Sequence, residues 1–232
     1  MRTKKTQNKY LLAGNLFLFL MKGCYYVDLT TFKKLSNLVR EAANTMIELI
    51  LAYILLTAFF LLDPLFRKGK KAKSLGKTAN DNKSTMLLVL TFFTVLILSI
   101  ILNVLKLGTF DDETISIIGL VVMGLGLFIR IQSILTLGKY YTRTLVTVDE
   151  QHIVKNGPYK FIRHPGYLGT ILTWSAAGLA MQNIVVFIVA TILIHLSYYY
   201  RISNEEKMLV QTFGEKYSEY KKHSCRLVPF VW

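Results

Sequence analysis

Cysteine is almost missing from this chain. Cys24 and Cys225 stand at opposite ends of the sequence, so there is no disulfide framework and no metal-ligand spacing. Acid is also scarce, with 14 Asp and Glu against 28 Lys and Arg and a formal net charge of +14. In a soluble protein that excess would suggest nucleic acid. Here the basic residues crowd into short polar segments between long apolar blocks, the pattern of loops beside anionic lipid headgroups, so no nucleic-acid partner is expected. There are only 4 prolines and 4 histidines. Apolar residues are plentiful, at 53% of the chain. At 232 residues the length would suit one or two soluble domains, but the blocks of apolar sequence argue for an integral membrane protein.

The spans can be read in order. Residues 1–9 are basic and polar. Tyr10 to Val27 is apolar but interrupted by Asn15 and Lys22, and reads as either a short spanning helix or an interfacial one. It lacks a small-residue cleavage site and Lys22 follows it, so no cleavable signal peptide is expected. Asp28 to Glu41 is polar. Ala42 to Leu62 is long enough for one crossing, and Glu48 inside it should face protein rather than lipid. Asp63 to Thr85 carries seven Lys or Arg against two Asp and marks the cytosolic side. Met86 to Leu105 and Thr114 to Leu137 are further spans, joined by an acidic segment suited to the far side. Tyr167 to Tyr200 is too long for one crossing and predicts a helical hairpin turning at Met181 to Ile184. After Ser203, Met208, Leu209, Phe213, Tyr217 and Tyr220 recur at helical steps, predicting an amphipathic cytosolic helix. The expected fold is therefore all-α, with five or six transmembrane helices, a C-terminal helical hairpin and that amphipathic helix. Two parts follow: residues 1–137, membrane helices with a Lys-rich cytosolic loop at 63–85, and residues 138–232, a loop, hairpin and tail.

The chemistry-bearing residues gather at two places. Lys155 to Gly169, KNGPYKFIRHPGYLG, holds two of the four prolines and one of the four histidines, where an embedded chain returns to water. Asn156-Gly157-Pro158-Tyr159 and Arg163-His164-Pro165 are turn signals with Pro165 at a helix entry. Read blandly, this is a loop. Read functionally, Tyr159 and His164 offer an aromatic face and an imidazole to a ligand. Arg201 with Glu205-Glu206 reads either as a solvated i,i+4 pair or as an anion holder beside a hydrogen-bond acceptor. Gly124-Leu125-Gly126 lacks the third glycine of a dinucleotide loop and predicts close helix packing instead. His195 reads as a buried polar residue bonded to a neighbouring helix. Trp174, Trp232 and Tyr198 to Tyr200 suit interface anchoring.

In order and spacing these residues resemble the C-terminal part of the isoprenylcysteine carboxyl methyltransferase family. The shared pattern is Gly157-Pro158-Tyr159, then Arg163-His164-Pro165-Gly166-Tyr167-Leu168-Gly169, an apolar hairpin, Arg201, Glu205-Glu206, and Phe213-Gly214 followed by Tyr217 and Tyr220. It covers roughly residues 137–229. The resemblance implies S-adenosylmethionine held in a cytosol-facing pocket, with contacts from Gln151, His152, Ile153, Val154, Tyr159, His164, Pro165, Gly166, Tyr167 and Glu205. It puts Arg201 on the substrate carboxylate, with no metal required. The implied acceptor is a prenylated cysteine or similar lipophilic molecule entering from the bilayer. The location would be the cell membrane in a prokaryote or the endoplasmic reticulum in a eukaryote. Rival readings are a phospholipid N-methyltransferase, a sterol-type reductase using NADPH, and a non-enzymatic scaffold or transporter.

Overall fold

The computed structural model describes residues 29–66, 83–138, 141 and 153–227. The Tyr10–Val27 candidate span, most of the Lys-rich loop, and Gln151, His152 and Trp232 lie outside those residues. The described elements are helices: α1 (Leu29–Phe66), α2 (Ser84–Val104), α3 (Glu113–Leu137), a 3-10 turn (Gly157–Lys160), α4 (Pro165–Ala180), α5 (Ile184–Phe213) and α6 (Glu215–Lys222). Contacts divide the chain into two units, residues 1–44 and 45–232. The described part of the first is the opening of α1, exposed from residue 33 to 43.

Four stretches are long and apolar enough to cross a bilayer: Lys33–Leu62, Ser84–Val104, Glu113–Leu137 and Ile184–Phe213. Their outer faces carry apolar side chains such as Ile54, Phe93, Val121 and Ile192, each more than half exposed, the inverse of a soluble surface. This is an all-α integral membrane protein. Among the described residues the sequence-read spans reappear with two differences. The polar residues after Asp28 are already helical, so α1 begins at Leu29 rather than near Ala42. And α5 does not stop at Tyr200. It runs to Phe213 and breaks at Gly214, whose φ of 56° is left-handed, so the expected amphipathic helix is the last turns of α5 plus the short α6.

The hairpin turns where the sequence placed it. Asn183 caps α5, its side chain accepting from the Val186 N–H at 3.0 Å. Pro165 opens α4, where its missing N–H is no loss. At 16 residues α4 is about 24 Å long, short of a full hydrocarbon core. Its close fit against α3 needs glycine at both faces: a Cβ on Gly126 would come within 2.6 Å of the Gly169 carbonyl, and one on Gly169 within 2.4 Å of the Gly126 carbonyl. Gly124, the other glycine of the expected packing pair, faces open space and takes no part.

Two expectations are corrected. Trp174 is not an interface anchor: it is fully buried against Phe59, Phe60 and Phe92, with ring centroids 4.6–5.7 Å apart, because α4 sits inside the bundle. His195 is exposed on the outer face of α5 and pairs through Nδ1 with the Thr191 carbonyl of its own helix at 2.7 Å. Tyr198 is buried, while Tyr199 and Tyr200 are exposed as anchors would be. Glu48 faces protein as expected: it is buried and accepts from Gln182 Nε2 at 2.6 Å.

Candidate active site

The open end of the α4–α5 hairpin brings the two polar clusters together. The tail after α6 returns beside the loop before α4. Arg163 N–H donates to the Cys225 carbonyl at 2.8 Å, His164 N–H to Arg226 at 3.2 Å, and Cys225 N–H to Phe161 at 2.9 Å. This short parallel pairing fixes where Arg163 and His164 point. Both turn toward Glu206 on α5. Its Oε1 accepts from Arg163 Nε at 2.9 Å and lies 3.3 Å from His164 Nε2. Its Oε2 accepts from Arg226 at 2.8 and 3.2 Å, and Lys221 Nζ stands 3.7 Å away. A buried carboxylate needs such partners, since its desolvation alone would cost several kcal/mol.

Glu205, one residue earlier, is differently placed. Its side chain is 22% exposed, and its Oε2 accepts from the Tyr167 hydroxyl at 2.5 Å and lies 4.0 Å from His164 Nδ1. The Tyr167 hydroxyl also accepts from Arg201 Nε at 3.1 Å, so one phenol links the carboxylate to the guanidinium. The Tyr167 ring lies parallel to the imidazole of His164, 5.5 Å away at an interplanar angle of 4°. Arg201 is 3% exposed, and donates from one terminal nitrogen to Ser84 Oγ at 3.1 Å and Thr85 Oγ1 at 2.8 Å, both on the first turn of α2.

Tyr159 closes one side of this cluster. It is buried in the 3-10 turn, and its carbonyl accepts from the Tyr220 hydroxyl at 2.5 Å. Burial, reinforced by the charge on Glu205, pushes the Tyr159 hydroxyl far above the usual phenol range, so it stays a neutral donor. Burial next to Glu206 and Glu205 does the same to Tyr217, whose hydroxyl is buried without a hydrogen-bond partner among the described residues. Beneath the site, buried Arg130 ties α3 to α4 through Thr170 Oγ1 at 2.6 Å and the Gly166 carbonyl at 3.4 Å, with Phe59 under its guanidinium at 4.5 Å. Of the sequence-read candidates, Tyr159, His164, Tyr167, Arg201 and Glu205 meet. Pro165 and Gly166 form the α4 entry beside them, and Ile153 and Val154 are half-buried in the chain leading in. Sequence reasoning missed Ser84, Thr85, Arg163 and Arg226 as partners and the separate role of Glu206.

This is a membrane-embedded helical bundle with a charged, aromatic-walled cluster at the end of an inner hairpin. Residues 117–211 match the model of the isoprenylcysteine carboxyl methyltransferase (ICMT) family. Among curated relatives, protein-S-isoprenylcysteine O-methyltransferase A of Arabidopsis thaliana is 34% identical over 120 residues, half of this chain and 60% of that protein. A probable protein-S-isoprenylcysteine O-methyltransferase of Oryza sativa subsp. indica is 29% identical over 119 residues, 62% of its length. The match thus spans about three fifths of these relatives. Methanethiol S-methyltransferase 1 of Bradyrhizobium diazoefficiens is 37% identical over 73 residues, 24% of its length. In overall fold the chain is similar to the eukaryotic intramembrane Ras methyltransferase ICMT, with a TM-score of 0.52 at 21% identity over all of this chain and 87% of that one.

Proposed function

We propose that this protein is a membrane methyltransferase that moves a methyl group from S-adenosylmethionine to the carboxylate of an isoprenylated cysteine or a similar lipophilic acceptor. The observation that carries the reading is the Glu205–Tyr167–Arg201 chain, which sets a partly open carboxylate and a buried guanidinium on either side of one phenol. The donor set fits the cofactor. Glu205 suits an ammonium group, the faces of Tyr159, Tyr167 and His164 suit a sulfonium charge, and the buried, partnerless Tyr217 hydroxyl next to both glutamates is a polar atom left for a ligand. Gln151, His152, Ile153 and Val154 would extend that contact along the preceding chain, and Pro165 and Gly166 would shape the entry.

S-adenosylmethionine supplies an activated methyl group on a positively charged sulfur. The protein's part is alignment. Arg201 orients the acceptor carboxylate, which is ionised near pH 7 and needs no general base. Tyr167 holds Arg201 and Glu205 in register, and the surrounding helices keep water out. Residues 138–232 form the cofactor-holding core on residues 1–137 as membrane scaffold. The site faces the cytosol, the side to which the basic segments point, in the cell membrane of a prokaryote or the endoplasmic reticulum of a eukaryote. The methanethiol S-methyltransferase relative favours one second reading, a lipophilic thiol as acceptor, which would not need Arg201.

The test is transfer of radiolabelled methyl by purified protein to N-acetyl-S-farnesylcysteine, a lipophilic thiol and a native lipid extract in parallel. Arg201→Ala should abolish carboxylate methylation and leave S-adenosylhomocysteine binding intact. Labelling of thiol or lipid amine alone, unchanged in that variant, overturns the carboxylate reading.

A further inference from the structure

We infer that Ser84 and Thr85, on the first turn of α2, are positioning residues for the acceptor carboxylate, acting by holding the Arg201 guanidinium. The inference rests on the proposed role of Arg201. The pair lies outside the matched residues 117–211 and 117 positions from Arg201 in the case of Ser84.

An arginine on a helix has four rotatable side-chain bonds, and orienting a carboxylate requires its planar fork to be held from more than one direction. Tyr167 fixes the Nε edge at 3.1 Å. Ser84 and Thr85 fix the terminal nitrogen at 3.1 and 2.8 Å. These three contacts are to neutral hydroxyl oxygens, so they set the plane of the group without themselves adding an opposing charge. A carboxylate partner in the same places would hold it as firmly and leave less attraction for an anionic acceptor.

The anchor itself is held. Ser84 is fully buried, and Thr91 Oγ1 lies 2.7 Å from Ser197 Oγ further along the same antiparallel α2–α5 seam. At the far end Asn183 Nδ2 reaches Asn103 Oδ1 at 3.5 Å. The register that puts Ser84 and Thr85 against Arg201 is thus repeated twice along the two helices. Residues ahead of the matched 117–211 thereby supply one wall of the proposed acceptor site.

The test uses full-length protein saturated with S-adenosylhomocysteine and titrated with N-acetyl-S-farnesylcysteine or its carboxamide. Wild type should prefer the carboxylate. The double variant Ser84→Ala, Thr85→Val should lose about ten-fold of that preference, the scale of one charge-assisted hydrogen bond. Its S-adenosylhomocysteine affinity and carboxamide affinity should not move, which a merely folding defect would not allow. Thr85→Ser, which retains the hydroxyl, should keep the preference. A double variant with wild-type preference overturns the inference, and so does one that loses S-adenosylhomocysteine and both acceptors together. Arg201→Ala separates the layers. If it lowers the preference and the double variant does not, only the role of the pair fails. If it leaves the preference intact, the reading of Arg201 fails and takes the pair with it.

Discussion

The two ends of the α4–α5 hairpin both bury acid, and they treat it differently. At the turn, Glu48 meets a neutral amide, Gln182 Nε2, and the surrounding contacts close the chain on itself: Gln182 Oε1 accepts from the Asp112 N–H at 3.2 Å, and Asn183 Nδ2 donates to the Leu107 carbonyl at 3.0 Å. At the open end, Glu206 is surrounded by Arg163, Arg226, Lys221 and His164, while its neighbour Glu205 is left partly exposed beside an aromatic stack. A clasp uses its polar groups on itself. The open end instead leaves one carboxylate partly exposed and uses its neighbour to gather the surrounding cations.

Substitutions can sharpen that contrast, taken from the largest effect down. Arg201→Ala should reduce methyl transfer by at least about a hundred-fold, because a carboxylate loses its orienting cation. Radiolabel incorporation measures it, and a variant with near wild-type activity breaks the contrast at its centre. Glu206→Ala would leave the half-buried Arg163 and Arg226 without their shared anion, with a cost of about 2–4 kcal/mol in stability. Thermal unfolding in detergent should show that loss. Glu205→Gln removes only the partly exposed charge, so unfolding should barely shift while S-adenosylhomocysteine affinity falls about ten-fold or more. At the turn, Gln182→Ala should cost about 1–3 kcal/mol of stability and leave both ligand affinities unchanged.

The smallest effect is on pH. Burial pushes the Tyr220 hydroxyl up to about 12, and raises Tyr159 and Tyr217 in the same direction. A phenol whose folded pKa exceeds its unfolded value of about 10 stabilises the fold below that pH and loses this contribution as pH rises through the folded value. Stability should therefore decline from about pH 10 toward 12, more shallowly in Tyr220→Phe, as followed by thermal unfolding across that range.

The spans and the hairpin turn were legible because hydropathy and a Gln-Asn break are local signals. The start of α1 was not, since Lys33, Lys34 and Arg40 give it a loop's composition while its backbone stays helical. That His164, Tyr159, Arg201 and Glu205 would come together could be expected from the order and spacing of the motifs. The local i,i+4 reading of Arg201 with Glu205 was incomplete, because the Tyr167 hydroxyl inserted between them comes from 34 residues away. Arg226 on Glu206 and Ser84 on Arg201 carry no local pattern, since each contact exists only after the tail folds back or α2 docks. Trp174 misled for the same reason: an aromatic in a short apolar arm looks like an anchor until the bundle closes around it.

The central claim is that Glu205 is the cofactor's carboxylate. Calorimetric titration of S-adenosylhomocysteine and of NADPH into the purified wild type and Glu205→Gln tests it most directly. The account predicts saturable S-adenosylhomocysteine binding that weakens about ten-fold or more in the variant, with no NADPH binding in either. Equal S-adenosylhomocysteine affinity in the two proteins, or tight NADPH binding to the wild type, would contradict it.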